Sequence, residues 1–298
     1  MAVERAIGVD VGGTKILGGV VGRDGSVGDR LELPTPTGSQ DGLLAALDEV
    51  VAELLSDEIA SIGFGVPSQI DYRTGRVLGS VNIPLAGVDL AAQMSERFGR
   101  AAAIDNDANA AALGEYSAGA GKSARAMVML TLGTGCGGGV VVDGEPLRAW
   151  AEFGHIVVEF DGIPCQGACT GRGHLEPYVT GVAATKLARE AFGPEADSHR
   201  LIELGDDGDA TAAEILRGIG RRLGAGISTL VNIFNPDLVV LGGGFGTAAA
   251  RYLVGPAEEV MRRDALPSGP EPVRLVPAEL GTAAGLIGAG MLAFGAVR

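Results

Sequence analysis

Two glycine-rich turns, each lying between two predicted β-strands, constrain the fold of this chain more than any other feature. The first turn spans residues 10–15 (Asp-Val-Gly-Gly-Thr-Lys), and the second spans residues 132–139. Apolar, β-branched runs on both sides of these turns predict strands at 7–10, 16–21, 127–132 and 140–142. Because the same strand, turn and strand unit occurs twice, we predict two related domains.

The rest of the chain alternates helices with strands, which is typical of the α/β class. Apolar residues at helical spacing predict the helices, and short apolar runs predict the remaining strands. The predicted helices are 43–55, 88–98, 108–116, 176–192, 212–234, 248–263 and 282–297, and the further strands are 62–66, 101–104 and 238–241. We assign residues 1–117 and 283–298 to an N-terminal domain and residues 118–282 to a C-terminal domain.

The composition argues against several classes of protein. A net charge of −14 and a pI near 4.6 leave no basic surface to neutralise nucleic-acid phosphates. The longest apolar stretch, residues 282–297, is shorter than the roughly 20 residues of a membrane span. The strand at residue 7 leaves no room for a signal peptide, and three cysteines do not form a disulfide framework. We therefore expect a cytoplasmic protein that binds neither nucleic acid nor membrane.

Both glycine turns are candidates for phosphate binding. In the first, the amides of Gly12 and Gly13 and the Thr14 hydroxyl can reach phosphate oxygens, and Asp10 can hold a metal-bound water. A plain glycine-rich hairpin is the alternative. The second turn contains a G-x-G-x-x-G pattern, but a strand follows it where a dinucleotide-binding fold requires a helix. We therefore interpret it as a second phosphate hairpin.

A third glycine cluster, at residues 242–246, connects the strand 238–241 to a helix. Such a turn can lie against an adenine or a ribose, and a tight strand-to-helix connection is the alternative. The presence of two phosphate hairpins in the same chain favours the nucleotide.

Asp105, Asn106 and Asp107 lie where a strand ends and a helix begins. Ligands of α/β folds gather at the carboxyl ends of strands, and an Asp there can accept the proton of an alcohol that attacks phosphorus. Asp and Asn are also ordinary helix N-caps. We expect one of these residues to cap the helix while Asp107 faces the ligand.

His155, Cys165, Cys169 and His174 fall within 20 positions of one another. Such a mixture of nitrogen and sulfur ligands suits tetrahedral Zn²⁺, and intervening glycines would let the chain wrap around an ion. The alternative is two chance thiols and two unligated histidines. The site would be structural, and Cys136 and His199 stand apart from it.

Together these five motifs resemble the ROK family, which comprises repressors, unannotated reading frames and sugar kinases. The order and spacing of the motifs agree over nearly the whole chain. The resemblance implies the actin-like ATPase fold, which is ribonuclease H-like, with two α/β domains flanking a cleft where Mg²⁺-ATP and a sugar meet. It also implies a homodimer, which is common in the family.

The resemblance carries roles over to individual residues, beginning with Asp107 as the catalytic base. The implied sugar-binding residues are Asn82, Asn106, Asp107, Glu152, His155 and Glu176. The implied nucleotide-binding residues are Asp10, Gly12, Gly13, Thr14, Lys15, Thr134, Gly135, Gly243 and Gly244. The structural Zn²⁺ would be held by His155, Cys165, Cys169 and His174, so that His155 serves both sugar and metal.

The chain departs from the family pattern at three places. The family's zinc stretch is Cys-x-Cys-Gly-x-x-Gly-Cys-x-Glu; here two extra residues separate the first two cysteines, and His174 replaces the third. Pro67-Ser68-Gln69 stands where many members have Pro-Gly. The helix-turn-helix of the repressors has no counterpart in the sequence, which favours a kinase.

Glucose is the hexose that the resemblance favours, with transfer of phosphate from ATP to its 6-hydroxyl and a role in glycolysis. Fructose, mannose, N-acetylglucosamine and N-acetylmannosamine are alternatives, and a donor other than ATP stays open. Two hypotheses come from other classes: a nucleotide-dependent assembly protein of the actin type and a non-catalytic sugar sensor.

Overall fold

The computed structural model describes residues 4–80, 82–267 and 271–296. Val81, next to the predicted sugar contact Asn82, and Val297, at the end of the predicted closing helix, lie outside these ranges. The chain forms two compact units. The first contains the described residues up to Ser123, residues 139–150 and those from Thr282 onward, and the second contains residues 124–138 and 151–281. The domain bounds drawn from the sequence stay a prediction.

Strands and helices alternate along most of the chain. The strands are β1 Arg5–Val11, β2 Lys15–Gly22, β3 Val27–Pro34, β4 Ile59–Val66, β5 Ser68–Asp71, β6 Arg76–Ser80, β7 Ala101–Asn106, β8 Ala126–Leu132, β9 Cys136–Val142, β10 Glu145–Pro146, β11 Leu238–Gly242 and β12 Arg274–Pro277. The helices are α1 Gln40–Leu54, α2 Leu90–Phe98, α3 Asp107–Ala118, α4 Glu176–Val179, α5 Gly181–Phe192, α6 Ser198–Asp206, α7 Ala210–Phe234, α8 Gly244–Ala248, α9 Ala250–Asp264 and α10 Ala284–Gly295.

The first unit is built on a five-stranded sheet of order β3-β2-β1-β4-β7. Strand β1 pairs antiparallel with β2 and parallel with β4, and β4 pairs parallel with β7. The carboxyl ends of these three parallel strands, at Val11, Val66 and Asn106, therefore share one edge of the sheet. That edge presents the first glycine turn and the Asp105–Asp107 segment together.

Helix α10 packs unusually closely within the first unit, because glycines line its contacts. A Cβ on Gly63 of β4 would lie 1.8 Å from the Ala289 carbonyl oxygen, and a Cβ on Gly288 would lie 1.6 Å from the Ala110 carbonyl oxygen of α3. Such close approaches to a backbone carbonyl are possible only because the residue facing it is a glycine, which has no Cβ. The apolar stretch at the end of the sequence is therefore a buried helix. Among the described residues, no helix has both the length and the apolar character needed to cross a membrane.

The second five-stranded sheet has the order β10-β9-β8-β11-β12, and β11 pairs parallel with both β8 and β12. The predicted hairpin turn between β9 and β10 is present. Asp143 and Gly144 have φ values of 51° and 86°, as a two-residue turn with positive φ at both positions requires.

Two predicted helices are interrupted in the structure. The prediction of one helix over 176–192 is wrong because Thr180 leaves the helical conformation and its hydroxyl accepts from the Ala183 amide, starting a new helix. The helix predicted over 248–263 is also divided: the short helix α8 ends at Ala248, and α9 begins at Ala250. The sequence analysis also missed β3, β5, β6, β12 and α6, which are short or largely exposed elements.

Candidate active site and metal centre

The first glycine turn is a closed and well-anchored loop. The Gly12 amide donates to the Lys15 carbonyl at 2.9 Å, and the Thr35 hydroxyl donates to the Gly12 carbonyl at 2.7 Å. Gly13 and Thr14 are exposed, so their polar groups face solvent. A Cβ on Gly13 would lie 3.6 Å from the Asn82 Cβ, which places Asn82 beside the turn. The ammonium of Lys15 pairs with Glu32 at 2.9 Å.

Asp10 lies at the end of β1, next to this turn. Burial and the negative charge of Asp107 raise the pKa of its carboxyl to about 7, while the Lys15 ammonium opposes the shift. Two carboxylates that repel each other at the edge of a sheet form a donor set that suits a divalent cation or its bound water.

Asn106 is the N-cap of α3. Its side-chain oxygen accepts from the amides of Ala108 at 2.9 Å and Asn109 at 3.4 Å. Asp107 is therefore not the cap. It lies in the first turn of the helix, partly exposed, with one carboxylate oxygen 2.9 Å from the Ala108 amide. One of these residues was expected to cap the helix, and the structure shows that it is Asn106.

A buried polar network that the sequence analysis missed lies beneath this segment. The Asp105 carboxylate is 1 % exposed and accepts from the Tyr72 hydroxyl at 2.9 Å, the Asn109 amide at 3.0 Å and the Asn106 backbone amide at 2.7 Å. Burial raises the pKa of Asp105. Tyr72 follows β5, so the network ties the β5–β6 hairpin to the segment that carries Asp107.

In the second unit, Glu176 anchors the second glycine turn. Its carboxylate accepts from the Cys136 amide at 2.8 Å, and a Cβ on Gly135 would lie 2.9 Å from the same oxygen. The Gln166 side chain donates to the Thr134 carbonyl at 2.9 Å, while the Thr134 residue itself is exposed. Glu176 and Gln166 thus fix one side of the turn, and the other side faces solvent.

Gly243 connects β11 to α8 with a φ of 80°, in the region that favours glycine. A Cβ there would lie 2.5 Å from both the amide and the carbonyl oxygen of Leu132. The third glycine cluster therefore packs against the end of β8, close to where the second turn begins.

The four predicted metal ligands come together in the second unit. The ligand atoms of His155, Cys165, Cys169 and His174 all lie within 4.8 Å of one another. Cys136 lies outside this group, and burial with the charge of Glu176 raises the pKa of its thiol to about 12. That thiol therefore stays protonated at neutral pH.

Three of the distances between the ligand atoms match the edges of a tetrahedral zinc site. Zn–N bonds of about 2.05 Å and Zn–S bonds of about 2.3 Å give tetrahedral edges of about 3.3 Å between two nitrogens and about 3.6 Å between sulfur and nitrogen. The Nδ1 atoms of His155 and His174 are 3.3 Å apart, and the Cys165–His155 and Cys169–His174 distances are 3.7 and 3.6 Å. The residue types and these three distances therefore suit a bound zinc ion.

The predicted site residues thus form two sets. The first unit brings together Asp10, Gly12, Gly13, Thr14, Lys15, Asn82, Asn106 and Asp107. The second unit holds Thr134, Gly135, Glu152, His155, Glu176, Gly243, Gly244 and the remaining zinc ligands. Glu152 is exposed and precedes the single turn of 3₁₀ helix Phe153–His155.

Comparison with known proteins identifies the fold and the family. The chain is similar to a ROK family glucokinase from Streptomyces griseus, solved in complex with glucose and AMPPNP, with 32% identity and a TM-score of 0.80 over 98% of this chain and 99% of that one. The fold is accordingly the two-domain actin-like ATPase fold, with mixed α/β sheets.

The family follows from the sequence comparisons. The model of the ROK family matches residues 6–295. The chain is 32% identical to a glucokinase of Streptomyces coelicolor, with 96% of each chain covered. It is also 32% identical to an N-acetyl-D-glucosamine kinase of Shigella flexneri, over 96% of this chain and 98% of that one. The chain belongs to the ROK family, which confirms the resemblance seen in its motifs.

Proposed function

We propose that this protein is an ATP-dependent hexose kinase that phosphorylates the 6-hydroxyl of glucose. The observation that carries the proposal is the edge of the first sheet, where the segment with Asp107 at the end of β7 lies on the same side as Asp10 and the first glycine turn at the end of β1. This arrangement pairs a proton acceptor with a phosphate-binding loop. The similarity to glucokinases over nearly the whole chain supports the same assignment.

Asp107 is the proposed catalytic base. As the sugar O6 attacks the γ-phosphorus in line, the carboxylate accepts the hydroxyl proton and ADP leaves. Asn106, and not Asp107, caps α3, and Asp107 lies in the first turn of that helix. The buried network around Asp105 positions the segment, since Asn106 donates its own backbone amide to that carboxylate.

The two glycine turns are the proposed phosphate-binding loops, with Gly12, Gly13 and Thr14 in one and Thr134 and Gly135 in the other. The exposed outer sides of both turns support this role, because backbone amides there can reach phosphate oxygens. Asp10 would hold a water of the Mg²⁺ that accompanies ATP, and the bound ion would neutralise phosphate charge. Lys15 lies next to the first turn, and Gly243 and Gly244 are the proposed contacts of the adenosine.

Asn82, Asn106, Glu152, His155 and Glu176 are the proposed sugar contacts, together with Asp107. His155 can serve both sugar and metal, because its Nδ1 faces the other ligands and leaves its Nε2 for a sugar hydroxyl. Glu176 has a second carboxylate oxygen besides the one that accepts from Cys136.

We propose that His155, Cys165, Cys169 and His174 are the ligands of a structural zinc ion. The clustering of the four ligand atoms supports it, in spite of the two extra residues and the His in place of a third cysteine. When bound, zinc would close the loop from 155 to 174 and fix the orientation of the His155 ring. The metal would act on structure and not on the phosphoryl group.

A coupled assay of ADP release across a panel of hexoses tests the proposal. We expect the highest kcat/KM with glucose and lower values with mannose, fructose, N-acetylmannosamine and N-acetylglucosamine. N-acetylglucosamine is the main rival, because relatives named for that sugar are as similar to this chain as the glucokinases. Release of ADP that does not depend on any hexose, or filaments formed on adding ATP, would instead favour an assembly protein.

Sugar binding without turnover would indicate a sensor. Polyphosphate in place of ATP tests for a second donor. The homodimer, the cytoplasmic location and the role in glycolysis stay predictions.

A further inference from the structure

Trp150 is the only tryptophan of the chain, and the proposed function has given it no role. It belongs to the first unit and is 55% exposed. Tryptophan combines a large apolar ring with a single polar N–H group. Here the indole Nε1 donates to the Ile70 carbonyl at 3.3 Å. The ring is therefore anchored at one edge, while more than half of the residue is in water.

The strand that anchors Trp150 also binds Asn106, a proposed sugar contact. The Asn106 side-chain amide donates to the Ser68 carbonyl at 3.4 Å. Ser68 and Ile70 are two positions apart in β5, and the bulge of the β5–β6 pair lies in β6, at Leu78. Carbonyls two positions apart in a regular strand point the same way and lie about 7 Å apart. Asn106 and Trp150 therefore bind the same edge of β5, side by side.

The backbone that leads to Trp150 lies against the same part of the first unit. A Cβ on Gly139 of β9 would lie 3.0 Å from the side-chain oxygen of Asn109, so β9 packs closely on the start of α3. Burial raises the pKa of Asp105, and the positive charge of Arg148 opposes this shift, as expected for a guanidinium nearby. Residues 139–150 thus follow the segment that carries the proposed base.

A hexose bound by Asn106, with its 6-hydroxyl at Asp107, would lie beside this exposed indole. The C–H groups of a pyranose ring form an apolar face, and small-molecule sites combine aromatic surfaces with a few polar groups. We propose that Trp150 is a further sugar contact, whose ring packs against the C–H face of the hexose while Asn106 and Asp107 bind its hydroxyls. The inference rests on the proposed kinase function and adds a residue that the family resemblance does not supply.

Fluorescence of the full chain tests the inference, because all tryptophan emission comes from Trp150. Glucose is added without ATP, and its binding is measured in parallel by calorimetry. We expect a saturable blue shift of the emission, since the bound sugar removes water from the indole. The dissociation constant from the blue shift should equal the one from calorimetry.

Two substitutions separate a sugar contact from a simple anchor of the loop. Trp150→Ala should raise the glucose dissociation constant and KM about tenfold, as for the loss of an aromatic contact, and leave kcat within about twofold. Trp150→Phe keeps an aromatic face and loses the N–H donor, so it should bind glucose within about threefold of the wild type. Leu147→Ala is the matched control, since Leu147 is an exposed apolar residue three positions earlier, and it should bind as the wild type does.

Three results would overturn the inference and leave the proposed function standing. They are glucose binding that does not change the Trp150 emission, a Trp150→Ala protein that binds as tightly as the wild type, and equal losses of affinity in Trp150→Phe and Trp150→Ala. The last result would show that only the N–H anchor matters. A wild type that binds no hexose in calorimetry would overturn both the inference and the proposed function.

Discussion

Replacing Gly288 with Ala sets two physical effects against each other. Gly288 lies inside α10, where Ala is the better helix former by about 1 kcal/mol. Its new Cβ, however, would lie 1.6 Å from the Ala110 carbonyl oxygen, whereas real Cβ atoms stay beyond 3.0 Å. Helices α3 and α10 would have to separate by about 1.4 Å, because the obstacle is backbone that cannot rotate away.

Overpacking of this kind costs about 3 kcal/mol at the upper end of its usual range, which leaves a net loss of about 2 kcal/mol or more. For a chain of this size we expect a melting temperature lowered by about 4 to 8 °C, measured by circular dichroism at 222 nm. Gly295→Ala is the matched control in the same helix, since a Cβ there meets nothing within 4 Å. It should melt at or slightly above the wild type. A Gly288→Ala protein as stable as the wild type would refute the close packing of α3 and α10.

Three further predictions follow from the polar and metal sites. Cys165→Ser should lower zinc from about one ion per chain to a small fraction by elemental analysis, whereas Cys136→Ser should retain it; zinc unchanged in Cys165→Ser would exclude the proposed ligand set. Asp105→Asn keeps a hydrogen-bond acceptor and removes a buried charge. Burial in the folded state raises the pKa of Asp105 from 3.8, so the stability of the wild type should fall as the pH rises above that value. The melting temperature of Asp105→Asn should fall less steeply over the same pH range. Parallel plots of melting temperature against pH for the two proteins would show that the charge is not buried. Tyr72→Phe removes a donor to Asp105 and should cost about 1 to 2 kcal/mol of unfolding free energy in urea titrations, with no change expected if the network is not formed.

The sequence predicted those parts of the fold where local chemistry and tertiary structure agree. Strands β1, β2, β8 and β11 are apolar runs that border glycine turns, so their pattern is visible without any partner. Strand β3 was not predicted because most of its residues are exposed and its buried and exposed positions alternate only weakly. The break between α4 and α5 at Thr180 was not predicted because the residues on both sides of it form helix, and the N-cap of α5 depends on a single hydroxyl.

The same distinction applies to the candidate site. His and Cys are rare in this chain, so their clustering alone identified the four residues that the structure brings together. The network of Tyr72, Asp105 and Asn109 could not be predicted, because Tyr72 comes from a hairpin that the sequence did not reveal. A Tyr after an unrecognised strand carries no local signal of the carboxylate it will meet.

The most direct test of the account compares Asp107→Asn with the wild type in one experiment. Glucose binding is measured by calorimetry, and kcat is measured by coupled ADP release. We predict a glucose dissociation constant within a few-fold of the wild type and a kcat lower by about 10² to 10⁴-fold, as expected when a general base is lost. A kcat close to that of the wild type would contradict the assignment of Asp107 as the base that activates the sugar hydroxyl.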